Sequence, residues 1–322
     1  MTSELKTRWP VAVLAISAGV AAAAAIGKAP PALELLRREY SLSLVYGGWI
    51  ISIFSALALA TGAGFGTLAD RIGARRMLLA GLWTLAGAGL TAVLVSAPLA
   101  LLLTRALEGA GFLAVAVAAP GIIITASAPQ DRSWSLGLWS VYVPTGVSLA
   151  MVTATLVLDG LGWRGLWIIF TLVSVVLALI GQWLLPRHTQ SFSPGPLRGN
   201  LVATLSRPGP WLLAGSFTAY TLMWISIMAW LPTFLIGQRG MAVASASLLT
   251  AALVAANIPG NLLGTWLLHR RWHGGTIAAL AALIMGLSVF VVFDDHFSDI
   301  LRYGSCLLFS CTGGMLPAAI LG

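Results

Sequence analysis

The stretch Gly66-Thr67-Leu68-Ala69-Asp70-Arg71-Ile72-Gly73-Ala74-Arg75-Arg76 sets four charges and two glycines between two long apolar runs. A single charge at the centre of a bilayer costs roughly 2.5 to 3.5 kcal/mol on insertion scales, so Asp70, Arg71, Arg75 and Arg76 belong at a membrane face. The pattern predicts a tight loop joining two membrane-spanning helices. An ordinary solvated turn requires neither both glycines nor an acid four residues after the first of them.

Composition points the same way. Of 322 residues, 9% are charged and 58% hydrophobic, with a mean hydropathy of +0.92, against about a quarter charged in soluble domains. The net charge is +8, yet the bases lie singly or in pairs between apolar runs, unlike the basic face of a nucleic-acid binder. No nucleic-acid partner is expected. Ten runs are long enough to cross a bilayer, at about 20 helical residues each: 9–29, 42–65, 77–96, 99–126, 135–158, 165–185, 211–235, 245–268, 275–293 and 300–322. Runs of this length exclude an outer-membrane barrel, and the first is too long for a cleavable signal peptide and has no small-residue cleavage site. Trp9, Trp163, Trp211 and Trp272 fall near run ends, as interfacial tryptophans do.

With the N-terminus in the cytoplasm, Lys6, Arg8, Arg71, Arg75, Arg76, Arg132, Arg187, Arg198, Arg207, Arg270 and Arg271 share that side, against Lys28, Arg37, Arg38, Arg164 and Arg239 on the other. Eleven bases against five satisfies the positive-inside tendency.

The opening stretch, read as Gly-x-Leu-x-Asp-Arg-x-Gly followed by bases, resembles the signature loop between the second and third helices of the major facilitator superfamily of secondary transporters. Ala74 departs from that pattern, in which a base is frequent. Gly162-Trp163-Arg164 resembles the segment that opens the sixth helix of that superfamily. The resemblance implies an all-α integral membrane protein of two six-helix bundles, ten of the twelve expected helices being present. Residues 1–186 form the first bundle in this reading, 187–210 a cytoplasmic linker and 211–322 four helices of the second. An internal repeat agrees: Arg105, Phe112 and Pro120 recur as Arg302, Phe309 and Pro317, and Gly66-Thr67 as Gly264-Thr265. A complete second copy would run two helices beyond Gly322, so a fragment or a shortened relative is expected. The resemblance also gives Gly66, Asp70, Arg71, Gly73, Arg75 and Arg76 the part of a cytoplasmic gate, with the acid latching onto the N-terminal end of an eleventh helix.

Candidate chemistry lies in charged and polar groups inside the membrane, which are costly unless they face a cavity or a partner. Arg105 and Glu108 are three apart on one helical face. They read either as an anion-binding arginine with a proton-coupling carboxylate, or as an intrahelical ion pair that only holds the bundle. Lys28, before Pro30-Pro31, resembles the first-helix lysine of monocarboxylate-type members that contacts the substrate carboxylate; alternatively it snorkels to the outer interface. Those members carry an Asp and an Arg in the eighth helix, where this chain has Asn257 and Asn261 around Pro259. Tyr220 and Trp224 share a face of the seventh run and could line a ligand cavity or pack in the core. Pro144 and Gly146 partly match an antiporter motif and read more simply as a kink. His269 and His273 have helical metal-ligand spacing but no carboxylate nearby, so no metal is expected. Cys306 and Cys311 read as small core residues.

The expectation is a secondary active transporter, working as a monomer in the cytoplasmic (inner) membrane by symport or antiport. Its substrate is expected to be a small organic or inorganic anion, with protons as a candidate coupling ion. No enzyme activity, cofactor or phosphate-binding glycine loop is expected. Proton-driven drug efflux is the alternative transport reading, and a non-transporting truncated membrane protein is the third.

Overall fold

The computed structural model describes residues 6–186, 206–294 and 296–321. Helices account for almost all of them: α1 Trp9–Gly27, α2 Ala29–Tyr40, α3 Leu44–Ile72, α4 Ala74–Leu94, α5 Pro98–Ala126, α6 Arg132–Ser140, α7 Tyr142–Leu184, α8 Pro208–Gly237, α9 Val243–Ala255, α10 Asn257–His269, α11 Gly274–Phe293 and α12 Asp299–Leu321. No strand occurs among the described residues. Eight stretches are long and apolar enough to cross a membrane. One of them, Pro129–Leu184, has 56 residues, far beyond the ~30 Å of a hydrocarbon core at 1.5 Å per residue. It reverses at Gly162, whose φ of 61° and ψ of −170° are open to glycine and strained for other residues. With that break and with α12 included, the described chain makes the ten passes that its apolar runs predict.

Several boundaries differ from the sequence expectation, each for a local reason. The first pass extends to Tyr40, because Pro30 and Pro31 fall in the first turn of α2, where a missing N–H removes no helical bond. The expected loop at 66–76 is helical apart from Gly73, with φ 87° and ψ 146°. Gly66, Asp70 and Arg71 therefore ride on α3, while Arg75 and Arg76 open α4. At 29 residues, α3 is longer than the membrane is thick, and its charged end projects beyond it. The linker expected over 187–210 lies outside the described residues as far as 205, and so do Arg187 and Arg198; α8 already begins at Pro208, with proline again in its first turn. Trp163 is 3% exposed and packed among the helices near the membrane face, unlike the exposed Trp9, Trp211 and Trp272.

Hydrogen bonds between helix ends define two faces. On one, Arg8 N donates to Ala126 O at 2.9 Å, and the Arg75 guanidinium donates to Gln182 O at 2.8 Å and Leu185 O at 3.1 Å. A cation there satisfies the last carbonyls of α7 and opposes its negative dipole end. On the other face, Tyr40 OH donates to Val95 O at 2.9 Å, and Arg164 pairs with Glu39.

Small residues let these helices approach closely, as in membranes generally. Ala12, Ala15, Ala18, Ala22 and Ala25 of α1 are buried in one cluster. Gly146 lies against the α1 backbone: a Cβ there would sit 2.7 Å from Ala23 Cβ and 2.9 Å from Ala24 N. The helix break is upstream at Val141, so Pro144 follows the kink and Gly146 serves packing. Gly146→Val is expected to destabilise the fold by about 1 to 3 kcal/mol through overpacking, read as a lower thermal midpoint in detergent. An unchanged midpoint would show that α1 and α7 can separate there without loss.

Candidate functional site

Three charged side chains from distant parts of the sequence meet inside the first six passes. Lys28 stands between α1 and α2, and Arg105 and Glu108 stand one turn apart on α5. Lys28 is 2% exposed, and both α5 residues are fully buried. Lys28 therefore does not snorkel, and the Arg105–Glu108 pair is not merely intrahelical. Lys28 Nζ donates to Glu108 Oε1 at 2.5 Å, and Arg105 Nη1 donates to Glu108 Oε2. The guanidinium also reaches two backbone oxygens, Ala25 O at 2.8 Å from Nη1 and Ile50 O at 3.2 Å from Nε. That fork ties α1, α3 and α5 together, which a lysine's single ammonium could not do.

The cluster is unbalanced. Lysine and arginine bring two formal positive charges and Glu108 brings one negative, leaving a net charge of +1 where burial costs several kcal/mol per ion. Arg105 Nη2 is buried and has no acceptor among the described residues. Aromatic faces supply part of the missing stabilisation. Lys28 Nζ lies 4.5 Å from the Trp167 ring centroid, and the Arg105 guanidinium lies 4.4 Å from that of Phe54 and 5.9 Å from that of Trp167. Sequence reasoning missed both rings. Trp167 follows Trp163 by one helical turn, a spacing that puts it on the same inward face; nothing local marks Phe54.

A second cluster gathers the four remaining candidates. Asn257 Nδ2 donates to Ser310 O at 3.0 Å and lies 3.4 Å from Tyr220 OH, and Asn261 Nδ2 donates to Asn257 Oδ1 at 2.7 Å. Trp224 Nε1 donates to Ser310 Oγ at 3.2 Å. Asn261 Oδ1 has no donor among the described residues. Tyr220, but not Trp224, borders a cavity of about 490 Å³ between α8, α11 and α12. Val147 and Met151 of α7 pack in the same core as Tyr220 and Trp224 and connect the second cluster to the first half. Ser148 Oγ adds a bond to Ala251 O at 3.2 Å.

The remaining candidates stay apart. Asp70 is exposed and makes no hydrogen bond or ion pair among the described residues, so neither Arg71 nor Arg75 satisfies it. A side chain added at Gly66 would meet open space. Arg302, the repeat partner of Arg105, donates to Val292 O at the end of α11 and is not fully buried. His269 and His273 join no group of three or more metal-ligating side chains among the described residues. Beside the sequence candidates, Glu39 accepts from Trp163 Nε1 at 2.7 Å and from Arg164 at 2.6 and 3.0 Å, which closes the helix ends of the opposite face.

The profile of the Major Facilitator Superfamily matches residues 12–322. The chain belongs to that superfamily. This Major Facilitator protein is 26% identical over 286 residues to the puromycin resistance protein pur8 of Streptomyces alboniger, covering 86% of its own length and 53% of the relative's. It is 28% identical over 174 residues to the multidrug efflux pump LfrA of Mycolicibacterium smegmatis, covering 51% of its own length and 33% of the relative's. It thus spans about half and a third of these curated relatives. Among solved structures it shares its fold with a bacterial homologue of the human lysosomal transporter Spinster, in inward-facing unoccupied and occupied forms. The TM-score is 0.75 for both, at 17% and 19% identity, covering 97% of this chain and 74% and 73% of those chains. The multi-pass, all-helical architecture expected from the sequence agrees with this membership.

Proposed function

We propose that this protein is a secondary transporter of small organic anions, with the substrate's negative charge taken up at Lys28 and Arg105 and with Glu108 as the proton-coupling group. The observation that carries this reading is the net +1 of the buried cluster together with the unpartnered Arg105 Nη2. An anion arriving there finds two cations that share one carboxylate and a buried donor with no acceptor among the described residues. Glu108 holds both cations when ionised. Once protonated it loses its charge and becomes in part a donor, so an anionic substrate can replace it as their counter-ion. The cluster then carries the same net charge before and after the exchange, and anion and proton move together. Asn257, Asn261, Tyr220 and Trp224 complete the site from the second half, and the two halves rock about it. The distribution of bases supports a cytoplasmic N-terminus in an inner membrane, with Asp70, Arg71, Arg75 and Arg76 on the cytoplasmic side.

The test is uptake of radiolabelled monocarboxylates into proteoliposomes with an imposed pH gradient. Accumulation that collapses with the gradient is expected. The names of the two curated relatives favour a second reading, export of drugs. Resistance of expressing cells to a cationic drug, without any gradient-dependent anion uptake, would select that reading over this one.

A further inference from the structure

Thr171 carries a hydroxyl that its own helix does not use. Serines and threonines inside helices commonly donate to the carbonyl one turn earlier, and those around this one do: Ser174 to Phe170 O at 2.9 Å, and Thr84 to Ala80 O and Thr91 to Gly87 O, both at 2.8 Å. Thr171 Oγ1 is buried and makes neither that bond nor any other among the described residues. It points from α7 to α4, at Gly89. A Cβ on Gly89 would collide with Thr171 Oγ1 and would lie 3.6 Å from Glu108 Oε1. The hydroxyl and the carboxylate oxygen therefore flank one point, and α4 places no side chain between them. Lys28 and Arg105 are the charged partners of Glu108, whereas α4 and α7 face it with the uncharged Gly89 and Thr171. Both cations donate to the carboxylate. A protonated carboxyl has an O–H of its own to place, which neither cation can accept. A threonine hydroxyl can, and this one has its lone pairs free.

We infer that Thr171 is a positioning residue for the protonated form of Glu108: its hydroxyl accepts a hydrogen bond from the carboxyl O–H, and Gly89 keeps the space between the two oxygens open. This inference rests on the reading of Glu108 as the proton-coupling group. The proton stays on Glu108 throughout, and Thr171 neither gains nor loses one. An acid held in this way is turned from Lys28 and Arg105, which leaves both cations to an incoming anion. With Glu108 ionised the hydroxyl has no donor to meet, which accounts for its lack of a partner beside the paired carboxylate.

Infrared difference spectra of the purified protein in lipid, acid against alkaline pH and without substrate, read the carboxyl directly, and Glu108→Gln identifies its C=O band by removing it. Thr171→Val keeps the shape and drops the hydroxyl. It should shift that band and lower the ratio of acid to carboxylate at a fixed pH by roughly two- to tenfold, the worth of one neutral hydrogen bond. Thr171→Ser should return both to the wild-type values, and Gly89→Ala, whose methyl would turn the hydroxyl aside, should act as the valine does. At alkaline pH the thermal midpoint of Thr171→Val should be no lower than that of the wild type, because the ionised site loses no bond. A valine variant with the wild-type band and ratio would overturn the inference and leave Glu108 as the coupling group. A lower alkaline midpoint would also overturn it, by showing that the hydroxyl is already engaged when Glu108 is ionised. A wild type without any acid band that Glu108→Gln removes would instead overturn the coupling reading, and the inference with it.

Discussion

Replacing Arg105 by alanine is expected to lower anion uptake at least a hundredfold, normalised to folded protein, while leaving membrane insertion intact. The two effects separate because of charge. Truncating one partner of a buried charge pair costs about 2 to 5 kcal/mol, much of it from the partner left behind. Here Glu108 keeps Lys28 at 2.5 Å, so no buried charge is stranded, and the cluster becomes neutral. What disappears is the excess positive charge and the free Nη2 that an anion would use. Ala25 O and Ile50 O also lose a donor, at roughly 1 to 3 kcal/mol in the buried interior. Arg105→Lys keeps the charge but cannot span α1, α3 and α5, and it is expected to recover only part of the uptake. Proteoliposome uptake normalised to inserted protein measures both variants. Wild-type uptake in Arg105→Ala would mean that the cluster only holds the bundle together.

Replacing Glu108 by glutamine should remove the dependence on pH. In the wild type, a proton taken up by Glu108 accompanies each incoming anion, so an imposed proton gradient drives accumulation. Glutamine has the shape of the protonated side chain and cannot ionise, so the variant should take up anions with or without the gradient. It should also be less stable when empty. Two buried cations then face no carboxylate, and breaking a buried ion pair in this way costs about 3 to 5 kcal/mol as an upper range, since the amide oxygen still accepts a hydrogen bond. An anionic ligand restores the missing negative charge, so the thermal midpoint should rise more on adding a carboxylate to Glu108→Gln than to the wild type. A pH profile identical to that of the wild type would remove Glu108 from the coupling step, whatever the stability result.

Most of the scaffold was legible along the chain. The ten apolar runs became ten passes, and the glycine of Gly162-Trp163-Arg164 became the reversal between the fifth and the sixth. Arg105 and Glu108 could be paired from their spacing, because residues three apart on a helix are neighbours wherever that helix packs. Gly73 could be marked as a turn because glycine adopts a positive φ without strain. These are local determinations, made by the period of the helix and by the cost of charge in hydrocarbon. The sequence overstated the loop at 66–76 and ended the first pass too early, since neither a run of charges nor a pair of prolines stops a helix that leaves the membrane or restarts at its first turn.

Tertiary structure alone brought Lys28 to Glu108 across 80 residues, laid Trp167 and Phe54 over the two cations, and joined Asn257 to Tyr220 directly and to Trp224 through Ser310. The reason lies in the solvent. In water, the apolar stripe of a helix marks the face it will bury, so the sequence forecasts its neighbours. In lipid, the outward face is as apolar as the inward one, and the contacts are chosen by close packing of small residues and by the few polar groups that must find partners. Ala23, Gly27 and Ala150 read as unremarkable members of apolar runs, yet their small size lets α1 and α7 approach closely beside Lys28.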